Sequence, residues 1–189
     1  MTYQYYQTRE SAESYIKVAK EFDGQELIHH LGNFLQKGST ILELGTGPGT
    51  DLEILSQSYH VTGSDFSQHF LDILIEKKIQ NELLLLNAIT LEVDSTFDCI
   101  YSNKVLQHLT NDELLLSIQN QLQILKDGGI VCHSFWAGTD SYEMKGAFHN
   151  YHTIEELEDW FSPYFKIQFL KFYDEMEKDD SILLIGQKR

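Results

Sequence analysis

Hydrophobic positions in the first 37 residues recur at helical spacing, with Ala12, Tyr15, Ile16 and Ala19 on one face. Leu27, Ile28, Leu31, Phe34 and Leu35 form a second stripe, and Asp23-Gly24 separates the two. After Lys37-Gly38 the period shortens. Residues 40–44 read as an apolar strand that runs directly into Gly45-Thr46-Gly47-Pro48-Gly49. A helix over 51–58, a strand over 60–64 and a helix opened by Ser67 and carrying Phe70, Leu71 and Leu74 follow. Strands are expected at 82–87 and 97–102. Thr110 with Glu113 makes a capping box for a helix bearing Leu114, Ile118, Leu122 and Leu125, stopped by Gly128-Gly129. A strand over 129–136 comes next, and Thr153 with Glu156 opens a helix bearing Leu157, Trp160 and Phe161. Strands over 165–172 and 181–188 close the chain, joined by the acidic turn 174–180.

Strands and helices that alternate, with strands apolar on both sides, describe a parallel sheet covered on both faces. The last two strands are joined by too few residues for a parallel crossover and must run antiparallel. Ligands of such sheets bind at the carboxyl ends of the strands, where the strand order reverses. The glycine loop, Asp65, Asn87 and Ser102 all fall at that end.

Composition narrows the classes of partner. Hydrophobic residues make up 42% of the 189 and charged ones 23%, which is a globular rather than a disordered balance. Fourteen Lys and Arg against 29 Asp and Glu give a net charge of −15, a surface that repels nucleic-acid backbones and anionic lipid. The longest apolar run, 83–86, is far short of a membrane span. The first residues lack the basic-then-apolar order of a secretory signal, and Cys99 and Cys132 sit in apolar runs without metal-ligand spacing. A cytoplasmic protein of one domain, acting on something small, is the expectation.

The glycine loop bears on what that is. A glycine-rich turn between a strand and its helix lets backbone approach a ligand and aims free N–H groups at it. A dinucleotide loop would carry a third glycine where Thr50 stands, and a phosphate-binding loop would carry a lysine that is missing. Glu43 places an acid at the strand end, unfavourable for a pyrophosphate and suited to an ammonium group.

The chain resembles the class I S-adenosylmethionine-dependent methyltransferases. The resemblance rests on four segments in register: 41–49 (ILELGTGPG), 61–67 (VTGSDFS), 97–109 (FDCIYSNKVLQHL) and 125–129 (LKDGG). It implies a doubly wound, Rossmann-like α/β fold with a seven-stranded sheet of order 3-2-1-4-5-7-6 and the last strand antiparallel. Residues 1–37 would form a helical segment capping the site, and 38–189 the cofactor-binding domain. The implied cofactor is S-adenosylmethionine. Gly45, Gly47 and Gly49 would line its methionine part and ribose, and Glu43 would face its amino end. Asp65 would accept from both ribose hydroxyls, Phe66 would pack on the adenine, and Asn87-Ala88 would sit at the adenine edge. Asn87 stands where the family usually has Asp. Thr46 and Ser102 complete the expected cofactor-binding set.

For the chemistry, His108 is the candidate general base or substrate contact, with local structural bonding as its alternative. His133 alternates into a strand and reads as buried structure; His149 and His152 could pair on a metal but lack a third ligand, so no metal is expected. Residues 136–152 form the longest irregular stretch after the glycine loop and mix rings with polar groups, as a lid over the acceptor would. Trp136, His149 and Tyr151 are its candidate substrate contacts. Tyr15, with Tyr5 and Tyr6, would close the cavity from the N-terminal side. The acceptor is expected to be a small molecule, with no nucleic acid and no membrane involved. A non-catalytic adenosylmethionine-binding sensor or partner subunit is the alternative. A nicotinamide-dependent oxidoreductase is disfavoured by the glycine spacing and by the lack of a second catalytic domain.

Overall fold

The computed structural model describes residues 6, 8–19 and 22–189; Tyr5 lies outside them. Two helices, α1 (Arg9–Ala19) and α2 (Gln25–Leu31), precede β1 (Thr40–Leu44), α3 (Thr50–Leu55), β2 (His60–Asp65), α4 (Gln68–Glu76) and β3 (Leu83–Leu85). Then come β4 (Phe97–Asn103), a single 3-10 turn (Leu106–His108), α5 (Asn111–Ile124) and β5 (Leu125–Trp136). A hairpin of β6 (Ser141–Met144) and β7 (Ala147–Asn150) leads to α6 (Ile154–Phe161), β8 (Phe165–Tyr173) and β9 (Ser181–Lys188).

Seven strands form one sheet in the order β3-β2-β1-β4-β5-β9-β8. With the hairpin set aside, this is the order 3-2-1-4-5-7-6 expected from the sequence. Strands β1 to β5 pair in parallel, and β9 runs antiparallel to both β5 and β8.

Alternation along the strands divides the core in two. Leu42 and Leu44 of β1 pack with Ile100, Val131 and the α5 residues Leu114 and Ile118. Ile41, Cys99, Tyr101 and Cys132 face the other way, toward Leu27 and Leu31 of α2 and Leu52 and Leu55 of α3. Each such buried leucine stabilises the fold by about 1.5–3 kcal/mol relative to exposure. Helix α1 stands apart from both layers: Ala12 packs on Phe70 and Ile73 of α4, with Tyr6, Tyr15 and Ile16 around them.

Both capping boxes form. Thr110 accepts from the Glu113 N–H while Glu113 accepts from Thr110 N–H, and Thr153 and Glu156 do the same for α6. Ser67 departs from its expected role. It occupies the N-cap of α4 but makes no side-chain cap; its hydroxyl donates to the Tyr6 carbonyl, and Asp65 accepts the Ser67 N–H instead. Element boundaries also move. Strand β3 keeps only three residues because Leu86 turns into the core and Asn87 starts a turn, its amide oxygen accepting from Ile89 N–H at 2.7 Å. Helix α5 ends at Ile124, and β5 already begins at Leu125, so Gly128-Gly129 lie inside the strand at a register shift opposite Phe97 and Cys99. The stretch expected to be irregular, 136–152, contains the β6–β7 hairpin, which turns at Lys145-Gly146.

Candidate functional site

Two adjoining cavities open at the carboxyl ends of β1, β2 and β4. The first is walled by Gly47, Asp65, Phe66, Phe70, Asn87 and Ala88. The second holds Glu43, Thr46, Asp51, Gln107, Trp136 and His149, and reaches the turn after β8 at Glu175 and Met176. Tyr6, Tyr15, Gly45, Asn103, Lys104 and His108 belong to both and mark where the two meet.

The glycine loop is shaped by its neighbours. Gly45 is at φ 65°, and a side chain there would lie 2.5 Å from a methyl of Val105, so the backbones of the loop and of the segment after β4 approach closely. Gly49 caps α3 at φ 86°, and a Cβ there would strike Leu74 at 2.6 Å. Gly49 lines neither cavity; its missing side chain lets α3 pack on α4.

Asp65, at the end of β2, is buried and accepts the Gly47 N–H at 2.9 Å and the Ser67 N–H at 2.8 Å. Burial pushes its carboxyl up to about 6, and these backbone donors oppose the shift. Phe66 beside it is 43% exposed, a ring held at the cavity wall without being part of the core. Glu43 is buried and accepts from the Thr46 hydroxyl at 2.6 Å. Desolvation, with Asp51 nearby, raises its carboxyl to about 8.

His108 sits in the 3-10 turn after β4. Its Nδ1 lies 2.6 Å from the Phe148 carbonyl, which can only accept, so Nδ1 carries the proton and Nε2 keeps a lone pair. Burial lowers its pKa to about 4, keeping the ring neutral near pH 7. His149 is 4.9 Å away, ring centroid to centroid, and stacks on Tyr142. The hairpin therefore brings His149 to the cavity, as expected of the 136–152 segment. Trp136 also lines it, with the Lys104 ammonium 3.9 Å over its ring. Burial pushes the Tyr15 phenol up to about 12, so it stays a donor.

Two further expected residues, besides Gly49, are not brought in. Ser102 is fully buried, lines neither cavity, and bonds His133 Nδ1 at 2.8 Å. It faces the α5 side of the sheet, where His133 Nε2 in turn meets Gln121 at 2.9 Å. Tyr151 packs behind the hairpin on Trp136 and reaches the Tyr142 hydroxyl at 3.3 Å, outside both cavities. His152 is buried against Phe135 and Trp160. Among the described residues no group of three or more His, Cys, Asp or Glu could hold a metal ion.

Sequence reasoning missed several cavity residues. Asp51 is buried and accepts from Gly24 N–H at 2.7 Å, from the Tyr101 hydroxyl at 2.7 Å and from Asn103 at 3.1 Å. Lys104 bonds Glu175, Tyr173 and Ser181. Gln107 is 3% exposed, and its Oε1 accepts no hydrogen bond. Gln107 is adjacent to His108 in the segment already singled out, which was the available signal; Lys104 and Glu175 are joined only by the fold.

A methyltransferase-domain family model matches residues 16–176. The chain belongs to that methyltransferase family. The fold agrees with solved structures of adenosylmethionine-dependent enzymes. One is the 1,6-didemethyltoxoflavin N1-methyltransferase of Burkholderia thailandensis, solved with 1,6-didemethyltoxoflavin and S-adenosylhomocysteine. It is 14% identical with a TM-score of 0.80, over 95% of this chain and 84% of that one. A methyltransferase of Methanosarcina mazei is 21% identical with a TM-score of 0.75, over 88% of this chain and 99% of that one. The N-methyltransferase NodS of Bradyrhizobium japonicum, solved with S-adenosylhomocysteine, is 15% identical with a TM-score of 0.69, over 87% and 86%. No curated protein matches the sequence. The enzyme class and cofactor expected from the sequence, an S-adenosylmethionine-dependent methyltransferase, agree with these findings.

Proposed function

We propose that the methyl group of S-adenosylmethionine passes to a small-molecule acceptor held in the second cavity, at the junction walled by Tyr15 and His108. The observation that carries this reading is the bond from Gly47 N–H to the Asp65 carboxylate. It makes the glycine loop and the acid at the end of β2 one rigid unit beside a cavity with an exposed ring, Phe66, at its wall. That unit fits an adenosine group. The Asp65 carboxylate takes the backbone N–H groups of Gly47, Ser67 and Phe66 and keeps acceptor capacity for a ribose hydroxyl, Phe66 offers a face to the adenine, and Asn87-Ala88 offer an edge. Glu43, Thr46 and Asp51 would receive the amino acid end in the second cavity.

Bound S-adenosylmethionine supplies a methyl carbon on a positively charged sulfur, an electrophile that needs no metal. The work left to the protein is alignment and exclusion of water, which in favourable cases is worth about 7–11 kcal/mol. The neutral His108 ring presents its Nε2 lone pair to an incoming N–H or O–H and so orients the acceptor. With a pKa of about 4, it is a hydrogen-bond acceptor first and a weak base second. Helix α1, through Tyr15, and the hairpin, through His149, cap the site from two sides. Two neighbours with known ligands are small-molecule or N-methyltransferases, which supports the acceptor class. A cofactor-only sensor would have no use for a second cavity that continues past the glycine loop to Trp136 and Met176.

Calorimetry with S-adenosylmethionine tests the reading. Asp65→Ala leaves the ribose hydroxyls without a charged acceptor and is expected to weaken binding roughly ten- to a hundredfold with the fold intact. An unchanged dissociation constant overturns the assignment.

A further inference from the structure

The second cavity has an unusual balance of donors and acceptors. Lys104 is the one Lys or Arg among the described residues that line either cavity. An ammonium has three N–H donors. Those of Lys104 are matched by three oxygens: the Glu175 carboxylate, the Tyr173 hydroxyl at 3.0 Å and the Ser181 hydroxyl at 2.7 Å. The Trp136 ring covers the ammonium as well, 3.9 Å away. All three donors of the cation are thus taken by protein partners, and none is left to offer a ligand.

The other Asp and Glu side chains that face this space are Asp51, Glu175 and Glu43, the last held largely protonated near pH 7, with Asp65 in the adjoining cavity. The two histidines there do not supply a positive charge, since burial lowers the pKa of both His108 and His149. With the cofactor's amino acid end at Glu43 and Asp51, an anionic acceptor entering the rest of the cavity would find no free cationic side chain, at a cost that burial increases.

Acceptors, in contrast, are in excess. Gln107 lines this cavity, and its Oε1 is buried and accepts nothing. A buried carbonyl left unpaired is a standing penalty that a ligand N–H or O–H would remove. His108 Nε2, with its proton on the other nitrogen, is a second acceptor from the adjacent residue. Between these polar points the walls are rings and a thioether: Tyr6, Tyr15, Phe22, Trp136 and Met176.

We infer that the methyl acceptor is a largely apolar, uncharged or cationic molecule that presents an N–H or O–H to Gln107 and His108, and that carboxylate- and phosphate-bearing molecules are refused. Gln107 is then a specificity-determining contact, and the enclosure of Lys104 by Glu175 is what denies anions a partner. This inference rests on the methyl-transfer reading of the same site.

Three probes matched in shape separate the possibilities: 2-phenylethylamine, 2-phenylethanol and 3-phenylpropionate, titrated into protein saturated with S-adenosylhomocysteine. The amine or the alcohol is expected to bind at least about tenfold tighter than the acid. Gln107→Leu should weaken the tighter probe about tenfold and leave S-adenosylhomocysteine binding within about threefold. Glu175→Ala, which frees one Lys104 donor, should bring the acid to within about threefold of the others. The acid binding as tightly as the amine and alcohol, or neither of those two binding, overturns the inference. So does a folded Gln107→Leu with unchanged probe affinity. The ranking on the unaltered protein stands by itself if Gln107→Leu fails to fold. Failure of S-adenosylhomocysteine to bind at all would instead refute the cofactor reading, and is seen before any probe is added.

Discussion

The imidazole Nδ1 of His108 donates to the backbone carbonyl of Phe148 across 2.6 Å, so the turn after β4 and the β6–β7 hairpin are held together at the cavity wall. The bond fixes the ring's tautomer and the hairpin's position at once. His108→Phe keeps the ring volume but removes both the bond and the Nε2 acceptor. Methyl-transfer rate is expected to fall at least about tenfold, while S-adenosylmethionine affinity stays within about threefold. Amide hydrogen exchange in 147–150 should quicken in the same variant. A normal rate with a loosened hairpin would reduce His108 to a structural latch.

Cofactor affinity should depend on pH through Asp65. In the free protein its carboxyl is pushed up to about 6, whereas donors from the ribose favour the ionised form. Binding below pH 6 then requires loss of a proton. The dissociation constant is expected to rise by up to about tenfold per pH unit below 6, and to be flat above. Asp65→Asn should remove this dependence; calorimetry from pH 5 to about 8 reads it.

Glu43 gives stability its own pH signature. Its folded-state carboxyl is raised to about 8, well above an ordinary glutamate, so folding favours the protonated form. That contribution is complete below the ordinary carboxylate range and is lost as pH rises through about 8. Buried His133 and His152 act in the opposite sense, since their pKa values are lowered to about 3 and 4, and their influence is confined below about 6.5. Urea midpoints of the unliganded protein should therefore fall between pH 6.5 and about 8, and Glu43→Gln should flatten that slope. A slope unaffected by the substitution would show that Glu43 ionises normally.

On the hairpin side, Trp136→Ala and His149→Ala should each lower acceptor affinity or rate while leaving S-adenosylmethionine binding within about threefold. Tyr151→Phe, outside both cavities, should change neither. Loss of cofactor affinity in the first two, without an acceptor effect, would place the hairpin over the cofactor.

The alternation of strands and helices and the glycine loop were legible because each rests on a short local pattern, and Asp65 because it ends a strand that the pattern defines; the strand order followed only from the family resemblance. Ser102 was misplaced by strand parity. It ends β4 beside cavity residues, yet alternation turns it toward α5 and His133, while Asn103 faces Asp51. The hairpin was invisible for a different reason: β6 is exposed at every position, so no buried face imposes an alternation of polar and apolar residues. Glu175 and Ser181 lie 71 and 77 residues beyond Lys104, and only the antiparallel return of β9 beside β5 unites them with it.

Arg9 of α1 grips Glu76 of α4 with two hydrogen bonds, 2.9 and 2.8 Å, and both side chains are about half exposed. Exposed pairs of this kind are weak and are screened by salt. Tyr15, one and a half turns further along the same helix, walls both cavities. The helix that brings Tyr15 to the cavities is thus tied to α4 by an exposed ion pair that salt weakens. Added salt would loosen α1 at the edge of the cavities without touching any group that lines them.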